Sequence, residues 1–307
     1  MSKKITLLML ALAATLAALA QEVRTYTFVQ RGSKALQMDV YTPQTPRPDK
    51  ACVIYLFGGG FAKGSRTDKA SVVSCKALAE NGYTAIAADY RLGVTPQRYD
   101  SVGFLHVNQL FTDAIDMAVE DLSAAIACVW DKADELAIDR GHIILTGASA
   151  GAITVLQTDY CRCNGLPQAS ALPQAFKPLA VIPYSGAIFC RNNARSYASA
   201  PAPTCFFHGT KDKIVGYKQF RFGFKKVLLG SDRLDRLYDK RGYCHWIFRF
   251  DAIGHEVNQY LPYTMSEFNA FVDMVEQGRT TFYDTHCKDT RMKPSEWSKM
   301  NIFDLYR

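Results

Sequence analysis

Residues 142–156 of this chain read HIILTGASAGAITVL, an apolar run that breaks into five small residues with a serine at their centre. The apolar residues before the break predict a buried parallel strand, and those after it are able to begin a helix. Gly147 and Gly151 carry no side chain and so allow a sharp turn between the two elements. The stretch therefore predicts a strand–turn–helix unit with Ser149 at its tip.

This serine-centred turn has two interpretations. Gly-x-Ser-x-Gly between a strand and a helix is typical of a nucleophile elbow, which holds the serine hydroxyl out at the edge of a sheet. Backbone N–H groups at the start of the helix then favour the negative charge that develops there during acyl transfer. The alternative is a turn of small residues that only permits close packing. The rest of the chain distinguishes the two.

The first 20 residues are predicted to be a signal peptide. Lys3 and Lys4 precede an apolar run from Ile5 to Leu19, and small residues surround a cleavage site after Ala20. A transmembrane anchor is the alternative, but the run is short and no basic flank follows it. We therefore expect the chain to be exported to the periplasm or the extracellular space, with no stable membrane anchor, as one domain over residues 21–307.

The charge of the chain is modest. It carries 36 basic and 29 acidic residues, a net charge of +7, and removing Lys3 and Lys4 with the signal leaves +5. Because the surplus is small and spread along the sequence, nucleic acid is not expected as a partner. The oligomeric state is left open.

Nine cysteines are compatible with disulfides in an exported chain, and their odd number requires at least one unpaired thiol. Four lie in apolar stretches and are predicted core residues: Cys52, Cys75, Cys128 and Cys205. Five lie in polar, loop-like surroundings and are better candidates for bridges: Cys161, Cys163, Cys190, Cys244 and Cys287. The spacing of Cys161 and Cys163 lacks a matching His/Cys pair, so zinc is not expected.

Apolar strands alternate with helical stretches along the chain, which predicts a mostly parallel α/β sheet with helices on both faces. The predicted strands are 25–29, 36–41, 51–57, 84–89, 142–146, 180–184, 205–208 and 245–250, the first two antiparallel at one edge. The predicted helices are 68–81, 112–136, 152–160, 217–229 and 265–276. A polar extension with scattered aromatics follows from about residue 277. We expect it to dock on the domain surface; a partner-binding segment is the alternative.

The elbow needs a base and an acid to activate its serine. After Ser149, Asp212 follows the predicted strand 205–208, and His255 follows the predicted strand 245–250. Both therefore lie beyond the carboxyl ends of strands, at the same edge as Ser149. Capping a helix near Tyr217 is the alternative role for Asp212. His208 is expected to hold the Asp212 loop by hydrogen bonding.

The loop after the predicted strand 51–57 is rich in glycine. Bare backbone at Gly59 and Gly60, with the N–H of Ala150, is predicted to form an oxyanion hole; a flexible turn is the alternative. Aromatic side chains near the predicted mouth are candidates for a substrate wall, although wall packing is their commoner role: Phe57, Phe61, Tyr90, Tyr99 and Phe104. The irregular stretch 89–112, which holds several of them, is expected to arch over the site, unless it is a packed surface loop.

These motifs together resemble the α/β-hydrolase superfamily, and in particular its hormone-sensitive-lipase-like and carbohydrate-esterase (BD-FAE-like) branch. The resemblance runs from about Leu36 to Phe271. It is carried by the stretches 55–61 (YLFGGGF), 88–92 (ADYRL), 121–139, 147–151, 208–212 (HGTKD) and 254–255 (GH). It implies the α/β-hydrolase fold, with Ser149 as nucleophile, His255 as base and then acid, and Asp212 as the orienting carboxylate. The oxyanion donors would be Gly59, Gly60 and Ala150.

One residue departs from the resemblance: Phe57 stands where the family has a histidine that helps hold the glycine loop. Two hypotheses follow. The first is an exported serine carboxylesterase, acting on a small-molecule or carbohydrate ester, which deacetylates or deferuloylates polysaccharide. The second is a catalytically silent relative that binds a ligand or partner; the retained Ser149, Asp212 and His255 argue against it. Neither a metal nor an organic cofactor is expected, since these side chains and backbone amides suffice for ester hydrolysis.

Overall fold

The computed structural model describes residues 22–94, 107–191, 196–222 and 226–306. A nine-stranded sheet forms its centre, in the order β1-β2-β4-β3-β5-β6-β8-β11-β12. These strands are β1 (Val23–Arg31), β2 (Lys34–Tyr41), β3 (Cys52–Leu56), β4 (Thr84–Ala88), β5 (Ile143–Ala148), β6 (Ala180–Tyr184), β8 (Thr204–Gly209), β11 (His245–Phe250) and β12 (Phe282–Cys287). The predicted export signal, residues 1–20, lies outside the described residues.

The sheet is antiparallel only at one edge. β1 pairs with β2 and β2 with β4 in antiparallel fashion, and every pairing from β4 to β12 is parallel. β3, β4, β5, β6 and β8 are buried along their whole length. Parallel strands covered on both faces are expected to be continuous apolar runs, as these are. The predicted fold class, an α/β-hydrolase fold with a mostly parallel sheet, is confirmed.

Five helices accompany the sheet: α1 (Lys69–Glu80), α2 (Val107–Asp131), α3 (Ala150–Cys163), α4 (Ser231–Arg241) and α5 (Met265–Glu276). α2 packs against α3, and Asn81 at the end of α1 accepts a hydrogen bond from Asn269 of α5. The β3–α1–β4 and β4–α2–β5 crossovers run in opposite directions across the sheet. Because such crossovers are right-handed, α1 and α2 lie on opposite faces.

The strand order reverses between β3 and β5. β3 leads outward to β4 on one side, whereas β5 leads to β6 on the other. At such a switch point the loops after the two strands diverge and leave a crevice beyond their carboxyl ends. The glycine loop follows β3 and Ser149 follows β5, so both lie at this crevice.

The helix predicted over residues 217–229 is wrong. The structure has β9 (Gln219–Phe222) and β10 (Lys226–Gly230) there, which form a small antiparallel sheet with β7 (Ala187–Arg191). Polar and apolar residues alternate over 219–222, the period of a strand. The helix begins instead at Ser231, with Asp232 in its first turn, and ends at Gly242 in the left-handed conformation.

The C-terminal extension contributes to the domain itself. β12 lies parallel to β11 and completes the sheet at that edge, so residues 282–287 are part of the central structure. The following residues return to the carboxyl ends of the strands and reach the site described below. No helix in the described part of the chain is both long and apolar enough to cross a bilayer.

The cysteines differ in part from expectation. Cys161 and Cys163 lie in α3 and Cys190 lies in β7, and all three are buried. They therefore lie in regular elements and not in loops. Seven of the nine cysteines are free thiols in the described ranges: Cys52, Cys75, Cys128, Cys163, Cys205, Cys244 and Cys287. Burial raises the pKa of several of these thiols, Cys163 and Cys287 to about 11.

Candidate active site

Ser149 occupies a strained turn between β5 and α3. Its backbone has φ 53° and ψ −114°, and its N–H donates to the carbonyl of Tyr184 over 2.9 Å. A positive φ is uncommon for a residue with a side chain and is held by its surroundings. A Cβ on Gly151 would lie 2.1 Å from the carbonyl oxygen of Leu56, and one on Gly147 would lie 2.6 Å from Gly151. Close packing against β3 therefore requires both glycines.

His255 connects the hydroxyl of Ser149 to the carboxylate of Asp212. Its Nε2 lies 2.8 Å from Ser149 Oγ, and its Nδ1 lies 2.7 Å from Asp212 Oδ2. A carboxylate only accepts hydrogen bonds, so Nδ1 carries the hydrogen. Nε2 is then the acceptor for the serine hydroxyl, which is the tautomer that a general base requires. The structure brings the three predicted side chains into one hydrogen-bonded chain.

Asp212 is held as a carboxylate by its neighbours. Its Oδ1 accepts from the N–H groups of Ile214 and Val215 at 2.9 and 3.0 Å. Burial by itself would raise the pKa of this carboxyl. The charge of His255 and hydrogen bonds from His208 and His255 outweigh burial and hold the pKa well below its ordinary value.

His208 fixes the Asp212 loop, as predicted from its position. Its Nε2 donates to the carbonyl of Val215 over 2.9 Å, and its Nδ1 accepts from the hydroxyl of Ser231 over 2.8 Å. The same Nε2 lies 3.3 Å from Asp212 Oδ2. Asp212 therefore caps no helix at Tyr217; the backbone donors to its carboxylate are the second and third residues after it in the loop.

The C-terminal extension covers the imidazole of His255. The ring of Trp297 stacks on that of His255, with centroids 5.4 Å apart and planes 13° apart. His255 has no exposed surface. A Cβ on Gly254 would lie 2.7 Å from the Cα of Ser298, so the extension approaches closely only because residue 254 is glycine. This stack was not predicted, because no motif marks Trp297.

Glu256, beside the histidine, holds the extension in place. Its Oε1 accepts from the N–H and hydroxyl of Ser295, at 2.6 and 2.7 Å, and from those of Ser298, at 3.1 and 3.0 Å. Burial would raise the pKa of Glu256, but these hydrogen bonds lower it. A charged acceptor with several donors is a strong anchor. It ties residues 295–298 to the loop that carries His255.

The glycine loop after β3 is also held by the extension. The hydroxyl of Tyr306 donates to the carbonyl of Gly60 over 2.7 Å. Gly59 and Gly60 have φ of 115° and 65°, a conformation that favours glycine. Gly60 and Ala150 line a cavity beside Ser149, while the carbonyl of Gly59 accepts from the N–H groups of Ala62 and Lys63 in a turn. Gly60 and Ala150 thus present backbone next to the nucleophile.

Phe57 supports the loop where a histidine was expected. Its ring stacks on Tyr90 with centroids 4.4 Å apart, and the Tyr90 hydroxyl donates to the Phe57 carbonyl over 2.9 Å. Phe57 and Tyr90, both predicted candidates for a substrate wall, are buried in this packing and are not among the residues that line the cavity beside Ser149. Phe61 does line the cavity. Tyr99 and Phe104 lie outside the described residues.

The cavity beside Ser149 has a volume of about 30 Å³. Apolar side chains from distant parts of the chain form most of its wall. They include Phe111 and Ile115 of α2, Ile214 after Asp212, Leu228 of β10, and Leu305 and Tyr306 of the extension. Phe111 belongs to the stretch 89–112, which was expected to arch over the site; sequence reasoning missed the others. Among those, Ile214 carried a local signal, since it is two residues from Asp212.

One cluster among the described residues has the donor types of a metal site: Asp235, Asp239 and His245. Arg249 already contacts the Asp235 carboxylate at 2.6 Å, and His245 Nε2 lies 3.2 Å from the other oxygen of Asp235. The cation and the imidazole thus occupy the carboxylate that a metal would need. The cluster joins α4 to β11 and does not adjoin Ser149.

Comparisons with known proteins agree with this architecture. The BD-FAE family model matches residues 38–157, which include the glycine loop and Ser149 but end before Asp212 and His255. The para-nitrobenzyl esterase of Bacillus subtilis (strain 168) is 26% identical over 134 residues, covering 42% of this chain and 25% of that protein. The chain thus matches about a quarter of the length of this curated relative.

Solved structures extend the similarity to most of the chain. The propionate-bound form of an esterase from the Planctomycetes species Thermogutta terrifontis has a TM-score of 0.57 at 19% identity, covering 86% of this chain and 97% of that chain. Its native form has a TM-score of 0.57 at 20% identity, covering 86% and 95%. The sheet order and the similarity to these structures show the α/β-hydrolase fold, and over residues 38–157 the chain is similar to the BD-FAE family.

Proposed function

We propose that this chain is a serine carboxylesterase that acts through Ser149, His255 and Asp212. The observation that carries the proposal is the continuous hydrogen-bonded chain from the Ser149 hydroxyl through His255 to Asp212, at 2.8 and 2.7 Å. The esterase names of the B. subtilis and T. terrifontis proteins support it.

The first half of the reaction forms an acyl-enzyme. Ser149 Oγ attacks the ester carbonyl carbon while its proton passes to His255 Nε2. The carbonyl oxygen becomes an oxyanion, for which the N–H groups of Ala150, Gly59 and Gly60 are the proposed donors. The tetrahedral intermediate then collapses, the C–O bond to the alcohol breaks, and His255 returns the proton to the leaving alcohol.

The second half releases the acid. Water gives a proton to His255 Nε2 and its oxygen attacks the acyl carbon; collapse breaks the bond to Ser149 Oγ, which regains the proton. Asp212 stays ionised throughout, because its neighbours keep its pKa low, and it stabilises the imidazolium that forms twice per cycle. The stack of Trp297 on His255 keeps water from that charge, which strengthens the pair with Asp212.

The finer proposal concerns the alcohol part of the substrate. A groove of about 940 Å³ lies beyond Trp297 and is lined by rings and polar groups, among them Tyr260, Tyr263, Lys69, Gln259 and Lys293. The ring of Tyr263 is 62% exposed. Rings with polar neighbours suit the mixed faces of a sugar. Together with the predicted export signal, this groove supports a polysaccharide ester as the natural substrate.

The test is hydrolysis of p-nitrophenyl acetate together with labelling by a fluorophosphonate probe. The full chain is expected to release p-nitrophenol and to be labelled at Ser149, and Ser149→Ala is expected to do neither while keeping its fold. A folded wild-type chain that neither hydrolyses nor is labelled would overturn the esterase proposal and favour a silent binding protein. Acetylated xylan and methyl ferulate, assayed in parallel, test the polysaccharide proposal.

A further inference from the structure

We propose that Tyr306 and Leu305 of the C-terminal extension determine acyl specificity and restrict the enzyme to acetyl esters. This inference rests on the proposed function and adds the acyl group to it. Both side chains line the cavity beside Ser149, together with Gly60 and Ala150. The acyl group of a substrate bound to Ser149, with its oxygen toward these backbone groups, therefore has these two side chains as part of its wall.

Two contacts hold the side chain of Tyr306 in place. Its hydroxyl donates to the Gly60 carbonyl over 2.7 Å, and its ring meets that of Phe111 edge-on, with centroids 5.2 Å apart and planes at 74°. A Cβ on Gly60 would lie 2.7 Å from the Tyr306 hydroxyl oxygen. The ring is thus packed directly against the glycine loop and forms a fixed wall.

The cavity that remains is small. Its volume is about 30 Å³, whereas an apolar cavity that holds benzene has a volume of about 150 Å³. A carbonyl with one methyl group fits this space. A butyryl chain adds two methylenes, and a feruloyl group adds a whole aromatic ring, so both require the wall to move.

The chemistry of the wall selects hydrocarbon. Ile115, Ile153, Ile214, Val215 and Leu228 contribute only apolar atoms. A polar or charged acyl group would lose its hydration there without gaining hydrogen bonds. Size and polarity together therefore point to acetyl as the acyl group.

The experiment compares kcat/KM for p-nitrophenyl acetate, butyrate and hexanoate in four variants of the full chain. Wild type is expected to prefer acetate to hexanoate by at least tenfold. Tyr306→Ala is expected to reduce that ratio by tenfold or more, since it removes the wall, and Leu305→Ala is expected to reduce it less. Tyr306→Phe keeps the ring and loses only the hydrogen bond, so it should retain the wild-type ratio. Lys299→Ala, an exposed position of the extension, is the matched control.

Each outcome has one meaning. A wild type that hydrolyses hexanoate as well as acetate overturns the inference, and so do Tyr306→Ala and Leu305→Ala variants that keep the wild-type ratio while melting as folded proteins. If Tyr306→Ala fails to fold, Leu305→Ala and Tyr306→Phe still decide the question. Active, probe-labelled protein with an unaltered ratio refutes the acyl-specificity inference alone. Absence of both turnover and labelling refutes the esterase proposal, and the inference with it.

Discussion

The elbow around Ser149 and the C-terminal extension build the same site in different ways. The elbow lies between two regular elements, and Gly147 and Gly151 are required there because a Cβ at these positions would lie 2.6 and 2.1 Å from neighbouring backbone. The extension holds no such motif, yet it places Trp297 on His255 and Tyr306 on Gly60. Local backbone geometry thus holds Ser149 in place, whereas contacts between distant segments hold Trp297 and Tyr306 over the site.

The largest expected effect is at the elbow. Ser149→Ala should lower kcat for p-nitrophenyl acetate by about 10⁴- to 10⁶-fold, since it removes the nucleophile. Thermal melting should change little, because alanine occupies the same space in the turn. Unfolding of Ser149→Ala would instead show a structural serine and contradict the comparison.

Asp212→Asn is expected to lower kcat by about 10⁴-fold, because an amide no longer fixes the Nδ1–H tautomer of His255. Circular dichroism spectra of the variant should match those of the wild type. Asp239→Asn, an exposed carboxylate on α4, is the control and should retain activity. A loss below tenfold for Asp212→Asn would show that the hydrogen bond to His255 does not orient the base.

The same variant tests the pH dependence of stability. The pKa of Asp212 is depressed in the folded chain, so its contribution to the free energy of unfolding is present above the ordinary aspartate pKa of about 4 and is lost as the pH falls below it. Urea unfolding should therefore show Asp212→Asn less stable than wild type at pH 7, with a difference that begins to shrink below about pH 4 and disappears only below the depressed pKa of the folded chain. A difference that is constant with pH would exclude this linkage.

The extension should show smaller effects. An aromatic stack contributes about 0.5–1.5 kcal/mol, so Trp297→Ala is expected to lower kcat/KM by up to about tenfold. Trp130→Ala, on α2 and away from the site, controls for the loss of a large ring. An unchanged kcat/KM in Trp297→Ala would mean that the stack only packs.

The smallest effect on catalysis is expected at Glu256, the anchor of the extension. Glu256→Gln retains the shape of the side chain but loses the charge that accepts from Ser295 and Ser298, at a cost of about 1–2 kcal/mol. Limited proteolysis followed by mass spectrometry should show faster cleavage after residue 287 in the variant. Glu296→Gln, exposed on the same segment, should not differ from wild type. Equal rates of cleavage in wild type, Glu256→Gln and Glu296→Gln would show that Glu256 does not hold the extension in place.

The elements with strong local signals were predictable. The apolar run before Ser149 predicted β5, and the strands before Asp212 and His255 predicted that the three residues would meet at one edge. The stretch 217–229 misled: it was interpreted as a helix, although residues 219–222 alternate as strand residues do. Phe57 and Tyr90 misled for another reason: the sequence does not show whether an aromatic side chain near a site faces the substrate or the core.

The sequence alone predicted that Ser149, Asp212 and His255 would lie together. Parallel strands bring their carboxyl ends to one edge of the sheet, wherever the strands occur along the chain. The small size of the cavity beside Ser149 and the covering of His255 by the extension were visible only in the tertiary structure. They depend on where residues 295–306 settle after β12, and that is decided by hydrogen bonds to Glu256 and Gly60 and by two aromatic contacts. Those partners are 39 and 246 residues away along the chain, a separation that no local pattern encodes.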